Sequence, residues 1–358
     1  IVMMTAEQER NQAMDVAKGV AIICVLWVHF VQYYYVDDTV PVFEDYAMKF
    51  IHSFVMPLFM IMSGYFFCYT MKKRNLKEII INRIKNLVWP ACVWGACLYF
   101  IQYVVEMKVM KVEMEFSLQE MWWSIQGTWF LWTLLICSVF VCIIGKLFDG
   151  RLEIIVLVFA FPLLYFIPNY NNHMFMYPYF ILGYLYNKYK DTISQKFIKG
   201  CKISLAAMFP ILLPYYSSNS YIYTTGITNF ETISKFMAQL KIDIYRYAIG
   251  LCGAVFVIMV VEYCTEYFRN SKVVRKIAGF GAMSLQIYVM QKIAVEYLAV
   301  GCWAKIISVL GFNPLTGNTV LYDWVFTLLL ALIGCEILYQ ITLLVKKKTM
   351  LSKILFGR

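Results

Sequence analysis

The chain is built from apolar runs of about 20 residues, separated by short segments rich in lysine and arginine. A helix needs about 20 apolar residues to cross a bilayer, and lipid admits only helices and closed barrels. The alternating pattern of membrane strands is absent from the sequence. We therefore predict an all-α, polytopic transmembrane bundle of about ten helices, near 16–34, 50–69, 87–105, 129–147, 152–168, 174–189, 201–216, 243–263, 277–296 and 320–345.

The charge distribution predicts how these spans are oriented. Hydrophobic residues make up 61% of the chain and charged residues 15%, proportions that exclude an ordinary soluble domain. The net charge of +10 comes mainly from Lys and Arg in short segments between spans, at 72–85, 188–202, 269–276 and 346–358. This pattern follows the positive-inside rule and argues against nucleic-acid binding. We predict cytoplasmic termini, one membrane-embedded domain over 1–358 in contact with lipids, and a basic cytoplasmic tail at 346–358.

The first predicted helix has one polar face. Asp15, Lys18 and His29 interrupt an otherwise apolar run, and at about 100° per residue they lie within roughly 60° of one another. Lys18 and His29 are about 16 Å apart along the helix axis, so one lies near the membrane surface and the other is deeper. Ionisable side chains inside a membrane are costly, which favours a functional site.

The rest of the chain offers further polar positions. Trp129 fits an aromatic belt at the interface, or stacks on a sugar. Arg246 either snorkels to the outer interface or binds a ligand. Tyr288 and Gln291 make the ninth span unusually polar, so it should face the bundle interior. The eleven cysteines are scattered singly, and no Cys/His spacing indicates a metal site, so we expect no metal.

Four segments resemble acyltransferase family 3, a family of polytopic membrane O-acyltransferases that acylate glycans and other hydroxyl-bearing acceptors. DVAKGVAIICVLWVH resembles the family's first helix, in which a basic residue precedes a histidine by eleven positions, as Lys18 precedes His29. FVMPLFMIMSGYFF, RIKNLVWPACVW and GAMSLQIYVMQ resemble the family's next signatures in the same order. The resemblance implies a bacterial cell-membrane enzyme, an O-acetyltransferase that uses acetyl-CoA.

The chain departs from the family pattern at three positions. Val55 stands where many relatives have a histidine, Asn86 replaces a frequent second arginine, and Gln291 replaces the usual terminal histidine. His29 thus stands out among the family positions, which puts a mechanism that needs two histidines in doubt.

Acyl transfer from a thioester to a hydroxyl needs a base with a pKa near neutrality, and histidine suits this role. We hypothesise that His29 is the general base or, alternatively, carries the acyl group transiently. Asp15 would hold Lys18 in place from the same helix face. The phosphates of acyl-CoA need cations at the cytoplasmic mouth, and Lys18, Arg83 and Lys85 are suitably positioned.

The acceptor is expected on the outer side, as a glycan or a lipid-linked sugar. Its candidate contacts are Tyr33, Trp129, Arg246, Tyr288 and Gln291. Acetyl and succinyl donors both remain open, and the sequence does not indicate an oligomeric state. The main alternative function is export or transport of a polysaccharide or small molecule through the same bundle, and a second is a sensor or uptake domain.

Overall fold

The computed structural model describes residues 6–33, 41–111, 115–227, 232–299 and 321–357. These residues form helices and contain no β-strand. The α-helices of the first half are α1 (Ala6–Tyr33), α2 (Tyr46–Lys73), α3 (Leu76–Arg83), α4 (Trp89–Val105), α5 (Leu118–Gln126), α6 (Trp129–Leu147) and α7 (Gly150–Phe159). They are followed by α8 (Tyr170–Tyr189), α9 (Gln195–Leu212), α10 (Ile222–Thr225), α11 (Ile233–Tyr267), α12 (Lys272–Ala282), α13 (Ser284–Ile293), α14 (Thr327–Lys346) and α15 (Thr349–Phe356).

Shorter helical turns of other types join or extend these helices. The π-helical turns are Ile84–Val88, Glu106–Met110, Ala294–Ala299 and Tyr322–Phe326. The 3₁₀ turns are Val42–Glu44, Phe161–Phe166, Leu213–Tyr215 and Ser218–Ser220. π-Helical turns occur frequently at functional positions. Two of them, Ile84–Val88 and Ala294–Ala299, contribute residues to the site described below.

Within the described residues, seven helical segments are long and apolar enough to cross a membrane. They are Gln12–Gln32, Tyr46–Lys73, Leu76–Lys108, Trp129–Leu147, Gln195–Tyr215, Ile233–Tyr267 and Tyr322–Lys346. Seven of the ten predicted spans coincide with them. The prediction of an all-helical membrane protein with several spans is thus confirmed for the described residues.

The other three predicted spans are not helices that are both long enough and apolar enough to cross a membrane. The span at 152–168 changes from α7 to a 3₁₀ turn at Phe161. The span at 174–189 lies in α8, which is long enough but carries His173, Asn187 and Lys188. The span at 277–296 is divided at Met283 into α12 and α13.

Helix α1 lies at the centre of the bundle, where it packs against α2, α12, α14 and α11. Its apolar side chains from Ala17 to Val31 are almost all buried. By contrast, α9 is almost wholly exposed over its apolar stretch, as expected of a helix that faces lipid. The predicted polar face of the first helix is therefore located inside the bundle.

Glycines bring the central helices into close contact. A side chain at Gly64 of α2 would overlap the carbonyl oxygen of Phe180, and one at Gly183 of α8 would overlap that of Ile61. In the same way, a side chain at Gly19 of α1 would overlap Ile277 of α12, and one at Gly281 of α12 would overlap the carbonyl oxygen of Asp15 in α1. Small residues at such crossings let helix backbones approach closely in membranes.

The basic segment after α2 forms α3, which leads through the turn Ile84–Val88 into α4. Its start is fixed by a capping box, in which the Asn75 side chain accepts from the Glu78 amide at 2.9 Å and Glu78 reaches back to the Asn75 amide. The tail helix α15 packs against α4. The indole nitrogens of Trp89 and Trp94 donate to the carbonyls of Ile354 and Leu355 at 2.7 and 2.9 Å.

Substituting Gly64 with alanine should destabilise the protein by about 1–3 kcal/mol, because the new methyl group forces α2 and α8 apart. Thermal unfolding of purified protein in detergent measures this as a lower Tm. Gly200→Ala in α9 is the matched control, since nothing lies within 4 Å of a side chain there. An equal Tm for both variants would contradict the close packing of α2 and α8.

Candidate active site

A cavity of about 640 Å³ opens between α1, α2, α3, α6 and α13. One end is lined by the cationic residues Lys18, Lys73, Arg74 and Arg83. The other end is lined by uncharged residues, namely Val25, Met56, Phe59, Phe130, Leu134 and Tyr288. Met56 and Lys73 lie on the same helix and are separated by about 25 Å along its axis. The cavity is therefore a long passage with a basic mouth and an apolar inner end.

Aromatic rings hold the cations of the mouth in position. The Lys18 ammonium pairs with Asp15 Oδ1 at 3.0 Å and lies 4.3 Å from the centroid of the Phe66 ring. The Arg83 guanidinium lies 4.6 Å from the centroid of the Phe67 ring. Such cation–π contacts fix a charge without neutralising it. The predicted role of Asp15 as a partner for Lys18 agrees with this geometry.

Lys85 lies apart from this mouth, although it follows Arg83 by only two residues. Its side chain is exposed, and it is absent from the residues that line the cavity. The π-helical turn Ile84–Val88 instead directs Asn86 and Leu87 to the cavity wall. Of the three predicted donor-binding cations, the structure brings Lys18 and Arg83 together.

His29 lies one helical turn beyond Val25, about 6 Å farther along α1. Its Nε2 atom is 3.4 Å from Oε1 of Glu296, which the π-helical turn Ala294–Ala299 carries. The His29 and Glu296 side chains retain 21% and 12% exposure. Glu296, which the sequence analysis did not single out, is thus the acidic residue beside the imidazole.

Two residues of the ninth predicted span hold the Glu296 carboxylate in place. Gln291 is fully buried and donates from Nε2 to Glu296 Oε1 at 2.7 Å. Lys292 pairs with Glu296 Oε2 at 3.1 Å. A carboxylate with several charge-assisted bonds keeps a fixed position in a low-dielectric interior. Gln291 thus contacts the acid next to the histidine, and its contact with a substrate stays a prediction.

Aromatic side chains surround the outer end of the site. Tyr223, which is 52% exposed, lies with its ring centroid 6.2 Å from Trp129 and 6.3 Å from His52. Tyr288 packs edge-on against Phe130 at 5.5 Å. Trp129 thus belongs to an aromatic group with Tyr223, and Tyr288 lines the cavity; their contact with a substrate stays a prediction. Tyr33 is the last residue of α1, and its side chain lies outside the described part of the chain.

Arg246 has a different position from the one expected of a ligand-binding residue. It is 1% exposed and pairs with Asp243 Oδ1 at 2.9 Å. Its remaining bonds go to the segment 218–227, through the carbonyls of Ser220 at 2.9 Å and Gly226 at 2.7 Å, with further bonds to Asn219, Tyr221 and Thr225. Arg246 anchors the segment that carries Tyr221 and Tyr223.

Glu44 ties the same segment to the start of α2. It accepts from the Ser218 amide at 2.8 Å and pairs with Lys49 at 2.5 Å. These bonds lower the pKa of Glu44 to about 2. Because the pKa of Glu44 is lowered in the folded state, the stabilisation from these bonds is fully present above the ordinary carboxyl pKa. It is lost only as the pH falls toward 2.

Sequence reasoning overlooked Glu296 and His52. Glu296 was counted within the ninth predicted span, although an acid in an apolar span is itself a signal of function. It also follows Leu285 by eleven residues, the spacing from Lys18 to His29, and Leu285 lines the cavity as Lys18 does. His52 is one of only three histidines in the chain and lies one helical turn before Val55.

The all-helical fold and its apolar segments define a multi-pass membrane protein. Over residues 11–340 the chain matches the acyltransferase domain family known as acyltransferase family 3. The chain belongs to this family.

A nodulation protein, NolL, of Mesorhizobium japonicum is 25% identical over 185 residues, which cover 49% of this chain and 48% of the relative. The chain thus spans about half the length of the curated relative that it matches. No solved structure matches the chain.

Proposed function

We propose that the protein transfers an acetyl group from cytoplasmic acetyl-CoA to a hydroxyl of a glycan or lipid-linked sugar at the outer face of a bacterial cell membrane. The observation that carries this proposal is the passage from a basic mouth to the neighbourhood of the His29–Glu296 pair. A phosphate-bearing donor with a long thin arm fits a cavity that is charged at one end and apolar at the other. A conduit for a neutral solute has no need of this gradient.

The cationic mouth supports the assignment of the donor. Lys18, Lys73, Arg74 and Arg83 all line this end of the cavity, and arginine and lysine bind phosphate through charge-assisted hydrogen bonds. The pantetheine arm would follow the uncharged wall of α2 toward Val25 and Tyr288. The thioester would then lie within one helical turn of His29.

The inner end of the cavity favours acetyl over succinyl. Its lining residues in the described chain, among them Met56, Phe130 and Leu134, carry no charge. A succinyl carboxylate would be buried there without a cation, which costs several kcal/mol. An acetyl group has no such carboxylate.

His29 would act as the general base. Glu296 lies against Nε2 and stabilises the imidazolium that forms when His29 takes the proton from the acceptor hydroxyl. The hydroxyl oxygen attacks the thioester carbonyl, the carbon–sulfur bond breaks, and the thiolate of coenzyme A takes the proton from His29. The balance of atoms and protons is complete without a metal.

We further propose ten membrane crossings with both termini in the cytoplasm. α8 is about 30 Å long, α7 continues into a 3₁₀ turn, and α13 continues into a π-helical turn, so each can add a crossing. The basic segments then fall on one side. A fluorescent protein that matures only in the cytoplasm should fluoresce when fused after residue 357. The same reporter inserted after residue 227 should stay dark, and the reverse pattern would overturn this topology.

Arg83→Ala should raise KM for acetyl-CoA by about tenfold, the cost of one lost phosphate contact. Its KM for the acceptor should stay at the wild-type value. Lys85→Ala is the matched control, because it removes a cation from the same segment without changing the cavity. Steady-state kinetics of protein in nanodiscs measures both. Equal effects of the two substitutions would contradict a donor mouth at Arg83.

His29→Ala should lower kcat by about 10²–10⁴, the usual contribution of a general base. Glu296→Gln should lower kcat less, because glutamine still accepts from His29 but does not stabilise its charged form. Both variants should keep the stabilisation by acetyl-CoA in a thermal-shift assay. A His29→Ala protein with near wild-type transfer of radiolabelled acetyl groups would exclude this role.

A further inference from the structure

The three histidines of the chain have different surroundings, and His173 shows what a structural histidine looks like here. It is 3% exposed. Its Nδ1 lies 3.0 Å from the Thr133 hydroxyl, and its Nε2 lies 3.0 Å from the Pro168 carbonyl. Because a carbonyl only accepts, Nε2 carries the proton and Nδ1 accepts from Thr133. Both ring nitrogens of His173 are therefore satisfied inside the fold.

His52 lacks this arrangement. Its Nε2 atom is buried but has no hydrogen-bond partner within the part of the chain that the structure describes. A buried polar atom without a partner costs free energy, and such atoms are few in folded proteins. Packing alone gives no reason to keep a histidine here, since aromatic rings fill its surroundings.

The position of His52 connects it to the reaction centre. It lies on α2, which packs against α1, the helix that carries His29. Its ring packs edge-on against Tyr221 at 5.1 Å, and the half-exposed Tyr223 lies at 6.3 Å. Tyr223 in turn contacts Trp129. His52 thus lies on a neighbour of the His29 helix, beside the buried Tyr221 and the half-exposed Tyr223.

This combination has the chemistry of a sugar-binding subsite. Aromatic faces pack against the C–H face of a pyranose ring, and a few polar groups at fixed positions bind its hydroxyls. Arg246 and Glu44 fix the segment that carries the half-exposed Tyr223, so this aromatic face is in place before the ligand arrives. Such preorganisation lowers the entropic cost of binding.

We propose that His52 binds the acceptor, by a hydrogen bond between its Nε2 atom and a hydroxyl neighbouring the one that is acylated. This inference rests on the proposed function and adds the acceptor-side residue to it. It also accounts for the histidine at position 52 in a chain that has Val55 and Gln291 at two family histidine positions.

Thermal shift of nanodisc-embedded protein tests the proposal without requiring turnover. The probes are methyl β-D-glucopyranoside and acetyl-CoA, each added separately to wild type, His52→Phe, His52→Gln and His173→Gln. A ligand that binds only the folded state raises Tm. We expect the glucoside to stabilise wild type, His52→Gln and His173→Gln, but not His52→Phe. We expect acetyl-CoA to stabilise all four.

The ligand-free Tm separates a functional from a structural role. His52→Phe should keep or raise the Tm, because it replaces an unsatisfied polar ring with an apolar ring of similar shape. His173→Gln should lower the Tm, because it disrupts two satisfied bonds. In acetyl transfer to the glucoside, His52→Phe should raise KM for the sugar by about tenfold and leave KM for acetyl-CoA at the wild-type value.

The two proposals fail differently. A wild-type protein that the glucoside does not stabilise, or a His52→Phe protein that it stabilises equally, would overturn the role of His52. A His52→Phe protein with a strongly lowered ligand-free Tm would also overturn it, in favour of a structural histidine. Failure of acetyl-CoA to stabilise the wild type would instead count against the donor, and hence against the proposed function.

Discussion

Charged side chains buried in an apolar bundle must be paired, and this requirement governs the arrangement of the interior. Glu153 is fully buried and bonds to Lys188 at 2.5 Å, Tyr184 at 2.8 Å and Tyr189 at 3.2 Å. Arg246 is bound to Asp243 and to the carbonyls of its segment. Removing one partner of such a group leaves a charge unpaired at a cost of several kcal/mol. Each buried charge therefore fixes the helices around it, and Glu296 does so through its bonds to Gln291 and Lys292 and its contact with His29.

The central position of α1 connects the two ends of the site. Gly19 follows Lys18 directly and lets α12 approach closely enough for Gly281 to contact the backbone of Asp15. From Gly281 the chain continues through α13 to Glu296, which pairs with His29 of the same α1. The basic mouth and the His29–Glu296 pair thus both depend on how α1 packs against the run of helix from α12 through α13 to the turn Ala294–Ala299. Any displacement of α12 along α1 would move Glu296 relative to His29.

The sequence predicted what depends on local pattern and could not predict what depends on helix arrangement. Hydropathy located the apolar helices, and the eleven-residue spacing located Lys18 and His29 at different depths. By topology, Lys85 and Arg83 are equivalent candidates. In the structure Arg83 lines the cavity, whereas Lys85 lies in the π-helical turn Ile84–Val88 and its side chain is exposed. Arg246 similarly has the sequence context of a ligand-binding residue, but its partners come from a segment some 20 residues earlier in the chain. Glu296 is missing from the predicted site because pairing between helices is not encoded in local spacing.

The packing of α15 against Trp89 and Trp94 has a consequence for the cavity. This helix follows the other described helices in the chain, and it supports α4 just after the turn Ile84–Val88, with the backbone of Gly357 against the carbonyl of Lys85. The tail helix therefore braces the basic end of the cavity, because it holds the start of α4 next to the turn that brings Asn86 and Leu87 to the cavity wall. A shift of this surface helix would be transmitted through the two indole rings to the wall of the cavity.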